Sequence, residues 1–192
     1  MNPKVLGAAI ALMIACAIPL AAWQLSSRSN DPQKHGSPDS AARSAQTPVA
    51  KLPAPEGKTV LRISGVAGGN AGTTTEADFA TLDRLASEQI TIRDPFVKRD
   101  VTYNALRMSR LLPAAGVPAS AASVFMHALD DYHVNLPIEA LSADGYLATR
   151  MDGKPIPVAK GGPVRLVFTG KGDLAENTDN WIWSIDSMRV GG

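Results

Sequence analysis

Four side chains able to hold a metal fall within one short stretch: His127, Asp130, Asp131 and His133. Imidazole nitrogens and carboxylate oxygens at that spacing would ligate a divalent ion if a hairpin folded them together. Strand alternation argues the other way. His127 shares a face with Phe125 and Leu129, while Asp130-Asp131 reads as a turn, which leaves a core-edge histidine and a solvated acidic turn. Arg165 is the stronger candidate. Behind Lys160-Gly161-Gly162-Pro163-Val164 it could present a guanidinium beside exposed backbone amides, an arrangement suited to a carboxylate or other oxyanion. It could equally sit in an ion pair, to Asp130 or Asp186. Trp181 and Trp183 alternate onto one side of a strand and serve either the core or the wall of a cleft for an organic ligand. Ser120 and Ser123 have no recognisable histidine and acid partners. Gly65, Gly68, Gly69 and Gly72 are not followed by the lysine-hydroxyl pair of a phosphate loop and read as a flexible loop.

The elements that must position these residues can be read from periodicity. Thr59 to Gly65 alternates as a first strand, and Gln89 to Arg93 is another. Between them Thr75 could cap a helix that buries Phe79, Leu82, Leu85 and Ala86. A second helix is expected over Asn104 to Leu112, with Ala105, Met108, Leu111 and Leu112 on one face and Pro113 as its stop. Ser123 to Leu129 and Tyr132 to Leu136 read as a hairpin around Asp130-Asp131, and Pro137 opens a short helix through about Ala143. Asp152-Gly153, between Tyr146 to Met151 and Lys154 to Val158, is a two-residue hairpin turn of the kind that needs positive backbone angles. Pro155 and Pro157 mark the second arm as an edge. Val164 to Phe168 and Trp181 to Val190 complete about seven short strands with two or three helices, an α+β pattern without regular strand-helix alternation.

Ahead of this domain, Lys4 precedes an apolar run from Val5 to Trp23 that holds the chain's single cysteine, Cys16. The run fits a cleaved secretion signal or an uncleaved N-terminal anchor, and either implies export to the periplasm or beyond, with attachment to the inner membrane in the second case. Cys16 reads as a small hydrophobe of that helix rather than a lipidation site. Residues 24–58 are rich in Ser, Pro, Gln, Lys and Asp without apolar period, so they read as a disordered tether, with His35 solvated in it. Residues 59–192 then make one domain of ordinary size. A net charge of +1 offers no argument for nucleic acid, and without a cysteine pair the domain has no disulfide framework.

Several of these segments also form an ordered series. Tyr103 to Gly116, through Leu106, Leu111, Leu112 and Gly116; Ser123 to Tyr132; Leu147-Ala148 ahead of Asp152-Gly153; Lys160-Gly-Gly-Pro-Val-Arg165; and Trp181-Ile-Trp-Ser-Ile185 together resemble the C-terminal part of the sulfite-oxidase-like oxidoreductase molybdopterin-binding domain family. The resemblance runs from about Val101 to Val190 and implies that family's single mixed α/β domain. It also implies a molybdenum held by a cysteine thiolate, placed after a central strand in the first half. There this chain has Thr91-Ile-Arg-Asp-Pro-Phe96, and where the family usually has histidine before the Gly-Pro-Arg signature it has Lys160. The family's domain is also longer on its N-terminal side, where much of the pterin-phosphate pocket is built. Soft metals favour soft ligands. The expectation is therefore a non-catalytic binding, sensing or accessory module with no cofactor. Its candidate ligand contacts are Arg165, Lys160, Gly161, Gly162, Trp181, Trp183 and His127, for a small anionic or organic ligand or an envelope or membrane protein partner, with membrane contact only through residues 5–23 if that segment stays uncleaved. The alternative is a molybdopterin-dependent oxidoreductase with atypical metal ligation.

Overall fold

The computed structural model describes residues 51–65 and 73–191. The expected export segment, Cys16, His35, most of the tether and Gly68, Gly69 and Gly72 lie outside the described residues.

Among the described residues ten strands form two sheets. The first has the order β2 (Thr74–Asp78), β1 (Thr59–Ser64), β10 (Ile185–Gly191), β5 (Ser123–Ala128), β6 (His133–Pro137). Here β1 and β10 run parallel, Arg62 opposite Ser187, and the other pairs are antiparallel. The second sheet runs β3 (Glu88–Arg93), β4 (Asp100–Arg107), β7 (Gly145–Met151). The far edge of β7 is shared: β9 (Arg165–Phe168) pairs its first half and β8 (Lys154–Pro155) its end. Alternation explains the outer strands, for Leu61 and Ile63 of β1 and Val124, Met126 and Ala128 of β5 are buried while their neighbours are less covered. β9 has no alternation at all, because Arg165, Leu166, Val167 and Phe168 are all buried. Apolar residues of both sheets and of the helices α1 (Phe79–Leu85), α2 (Met108–Ala114) and α3 (Ile138–Asp144) join in one core. A one-turn helix, α4 (Asp173–Glu176), and two 3₁₀ turns (Val158–Lys160 and Thr178–Asn180) complete the chain. Among the described residues no helix is long and apolar enough to cross a membrane.

The hairpins stand where expected. Asp152 and Gly153 take φ 51° and 77°, the positive pair of a type I′ turn, and α3 follows Pro137 directly. Four expectations need correction. Residues 104–107 belong to β4 rather than to a helix: Val101, Tyr103 and Ala105 point inward with period two, and the strand is bonded by β3 on one side and β7 on the other. Ala105 fits both periods, and central pairing decides. Pro113 does not stop α2 but sits within it. Thr75 lies in β2, and the cap of α1 is Asp78, whose Oδ1 accepts the Thr81 amide at 2.8 Å. The last strand starts at Ile185, since Ser184 takes φ 50° and breaks the extended run begun at Trp181.

The domain also takes in part of the expected tether. Leu52 is 6% exposed and belongs to the core, with its amide bonded to the Ala114 carbonyl at 2.9 Å. The Glu56 and Gly57 amides both donate to Asp78 Oδ2, at 2.8 and 2.7 Å. One carboxylate thus caps a helix and anchors the incoming chain.

Candidate functional site

Three chain segments converge on Arg165. It opens β9 after the 3₁₀ turn Val158–Lys160, then Gly161, a cis Gly162-Pro163 peptide and Val164. Gly161 has φ 86°, and a Cβ there would stand 2.7 Å from the Trp183 ring, so only glycine lets this turn lie on the indole. The second segment, residues 181–184, is stitched alongside: the Ser184 amide donates to Gly161 O at 2.8 Å, Leu166 to Ile182 O at 2.9 Å and Ile185 to Val164 O at 3.1 Å. The guanidinium of Arg165 consequently lies 4.5 Å from the Trp183 ring centroid, a cation–π distance.

The third segment is the β3–β4 connection, whose organiser is Asp94. Its Oδ1 accepts the Phe96 and Val97 amides at 2.8 and 2.9 Å, folding the chain around Asp94-Pro95 as an Asx turn. Its Oδ2 accepts the Tyr103 hydroxyl at 2.6 Å and stands 3.2 Å from Arg165 Nη2. The ion-pair partner of Arg165 is therefore Asp94, not Asp130 or Asp186. Burial pushes the Asp94 carboxyl up, but the Tyr103 hydroxyl, the Val97 amide, the Arg165 charge and the Phe96 amide together hold it below the ordinary carboxylate value. Tyr103 moves upward, through burial and through donating to that carboxylate. Burial pulls Arg165 downward from the usual guanidinium value.

Arg165 is only partly satisfied. Its Nη1 reaches Lys160 O at 3.5 Å. Its Nε and Nη2 are buried without a hydrogen bond, as is Trp183 Nε1; the 3.2 Å approach of Nη2 to Asp94 compensates charge without the alignment of a hydrogen bond. A cavity of about 340 Å³ opens here, lined by Val97, Arg99, Met151, Lys160, Arg165 and Trp183. Three of these are cations and none is a carboxylate. Arg99 is shared with Asp152, its Nη2 lying 2.6 Å from Asp152 Oδ2; Lys160 is exposed at the rim. Asp94 and Asp152 balance the Arg165 and Arg99 charges, so the pull on a small anion comes from Lys160 and from the guanidinium N–H groups left without a hydrogen bond.

The expected site residues therefore divide. Arg165, Lys160, Gly161 and Trp183 are brought together. Gly162 packs beneath them, where a Cβ would run into the Ile156 carbonyl. Trp181 is largely core: its Nε1 donates to Ala175 O at 3.0 Å and its ring meets Phe168 edge-on at 5.7 Å. His127 does not line the cavity. Its Nδ1 meets Asp186 at 2.9 Å and its Nε2 meets Asp131 at 3.4 Å, and chiefly the Asp186 bond raises its pKa. His133 turns instead to Asp131 O and stacks on Phe125. Among the described residues no cluster of three or more His, Cys, Asp or Glu could hold a metal. Asp94, Tyr103 and Arg99 were missed by sequence reasoning; the Asp-Pro step ending a strand was their one available signal.

The family model described as oxidoreductase molybdopterin binding domain matches residues 73–188, which include every residue of this site. No curated protein matches the sequence. Among solved structures, the crystal structure of the sulfane dehydrogenase SoxCD from Paracoccus pantotrophus is similar in fold, with a TM-score of 0.50 and 17% sequence identity. The match covers 68% of this chain and 37% of that one, so this chain spans well under half of its length.

Proposed function

The chain belongs to the oxidoreductase molybdopterin-binding domain family, and from that premise we propose that it uses the family's fold as an exported, non-catalytic module that binds a small anion in the cavity at Arg165. The carrying observation is the buried guanidinium, with two nitrogens lacking hydrogen bonds, beside a lining whose only charges are positive. An unmet buried donor costs about 1–3 kcal/mol, and an anionic acceptor offsets that cost. Export rests on the apolar segment 5–23, and a tether before the domain would hold it near an envelope or membrane protein partner.

The donor set supports the non-catalytic reading. A molybdenum centre of the kind the family resemblance implies needs a protein thiolate, and the single cysteine, Cys16, stands in the apolar N-terminal run. The segment 91–96, placed by the resemblance at the thiolate's position, offers Asp94 instead. Both its oxygens are taken, by two amides, a hydroxyl and Arg165. A hard, fully engaged carboxylate does not fit the soft ligand that dithiolene-held molybdenum calls for. The residues present therefore do not fit that metal.

The test is thermal denaturation of the full chain with sulfate, sulfite, thiosulfate, phosphate and short carboxylates at matched ionic strength. A ligand that binds only the folded state raises the melting temperature with its concentration. Arg99→Ala and Lys160→Ala, both at exposed positions, should abolish that rise without lowering the unliganded melting temperature by more than a few degrees. Equal melting temperatures in all anions, or a rise unchanged in both variants, would sink the proposal.

A further inference from the structure

A second cavity, of about 390 Å³, lies on the other side of the same aromatic cluster, lined by Phe96, Tyr132, Trp181 and Trp183 with Asp130 and Asp179. Its character is the reverse of the first: four aromatic rings, two carboxylates and no cationic side chain. The rings are held before any ligand arrives. Tyr132 donates its hydroxyl to Asp179 O at 2.7 Å, Trp181 donates to Ala175 O, and Phe96 meets Trp183 edge-on at 5.0 Å. Yet Phe96 and Tyr132 remain 43% and 44% exposed. Asp130 accepts only the Tyr132 amide, at 3.2 Å, and neither Asp130 nor Asp179 enters an ion pair among the described residues. Arg165 already lies over one face of Trp183 and, at 5.9 Å, of Phe96, with Asp94 as its counter-charge, whereas no cation lies over Tyr132 or Trp181 among the described residues.

From this arrangement we propose that the second cavity binds a methylated ammonium group. Ring quadrupoles attract a cation, carboxylates add charge complementarity, and an ammonium wrapped in methyl groups gives up little hydration on entering an aromatic lining. A bare metal ion would need more oxygen ligands than two aspartates supply, and an anion would be repelled. The two cavities share the Trp183 indole, but no charged residue lines both.

Choline chloride, followed by tryptophan fluorescence and by melting temperature of the full chain, is the probe, with 3,3-dimethylbutan-1-ol as its uncharged isostere and sodium chloride as the ionic-strength control. Choline should bind about tenfold more tightly than the isostere, the difference a desolvated cation–π contact provides. Phe96→Leu and the double variant Asp130→Asn/Asp179→Asn should each weaken choline by about fivefold or more, while the response to sulfate stays as in the unmodified protein. A phosphatidylcholine vesicle arm separates sources: co-sedimentation reversed by free choline identifies a lipid headgroup, and its absence beside choline binding identifies a free solute. Equal affinity for choline and the isostere, choline binding indifferent to both variants, or no response beyond that of sodium chloride would each overturn the proposal.

Discussion

Asp94 and Arg165 face each other at 3.2 Å with side chains 0% and 1% exposed, joining the β3–β4 connection to the first residue of β9. The Tyr103 hydroxyl and two amides complete the carboxylate's bonds, so the pair forms one neutral unit packed against Trp183, the indole that both cavities share.

Breaking that unit on one side leaves the other charge buried alone. Arg165→Met should lower stability by about 3 kcal/mol or more in urea denaturation. Adding Asp94→Asn removes the orphaned charge, and the double variant should recover at least half of the loss. A double variant as unstable as the sum of the singles would show that packing, not charge, sets the effect.

Leu52 carries the boundary of the domain. A chain beginning at Glu56 loses both its buried side chain and its bond to Ala114 O, so it should melt clearly below one beginning at Lys51. Leu52→Ala alone should cost about 2 kcal/mol. Equal melting temperatures for the two truncations would return residues 51–58 to the tether.

This boundary shows where sequence reading stops. The Lys51 to Lys58 stretch has prolines, charges and one leucine, and nothing local reveals that Asp78 gathers its amides. The turns were legible because they are chemically local: Asp152-Gly153 and Pro137 set their own backbone angles. Ala105 was ambiguous, standing three residues before Met108 and two after Tyr103, and only pairing by β3 and β7 resolved it. At the site, Lys160 to Arg165 was visible as a motif. Its counter-ion was not, because Asp94 and Arg165 meet only through tertiary packing.

Asp78 contributes to the acid response, beside Asp83, Asp94 and Asp152, whose carboxyls are also held below the ordinary value. The Thr81 amide and hydroxyl, then the Gly57 and Glu56 amides, bring the Asp78 pKa from 3.8 down to about 2 against the opposing effect of burial. A carboxyl lowered on folding contributes stability that is fully present above its unfolded value and is lost as pH falls through the folded one. Stability should therefore decline between about pH 4 and pH 2, and Asp78→Asn, which still caps α1, should flatten that decline. Stability measured by urea titration at stepped pH checks this. An unchanged slope in Asp78→Asn would move the acid sensitivity to other carboxylates.

Trp181→Ala should destabilise by about 3 kcal/mol or more, since the ring is buried against Phe168 and its indole N–H is satisfied inside the fold. A small loss accompanied by collapse of choline binding would instead make Trp181 chiefly a ligand wall.

The decisive measurement for the family's chemistry is metal content. Soft molybdenum calls for a soft protein donor; Asp94, at the segment where the resemblance puts the thiolate, is a hard donor with both oxygens already engaged. Full-length protein produced in a host that makes the pterin cofactor should carry far less than about one molybdenum per chain by elemental analysis, with no pterin fluorescence after denaturation. Asp94→Cys supplies the missing donor at that place. If it acquires molybdenum where the unmodified chain does not, the fold still accommodates the cofactor and only the ligand was wanting. Near-stoichiometric molybdenum in the unmodified chain would overturn the non-catalytic reading and restore the oxidoreductase alternative.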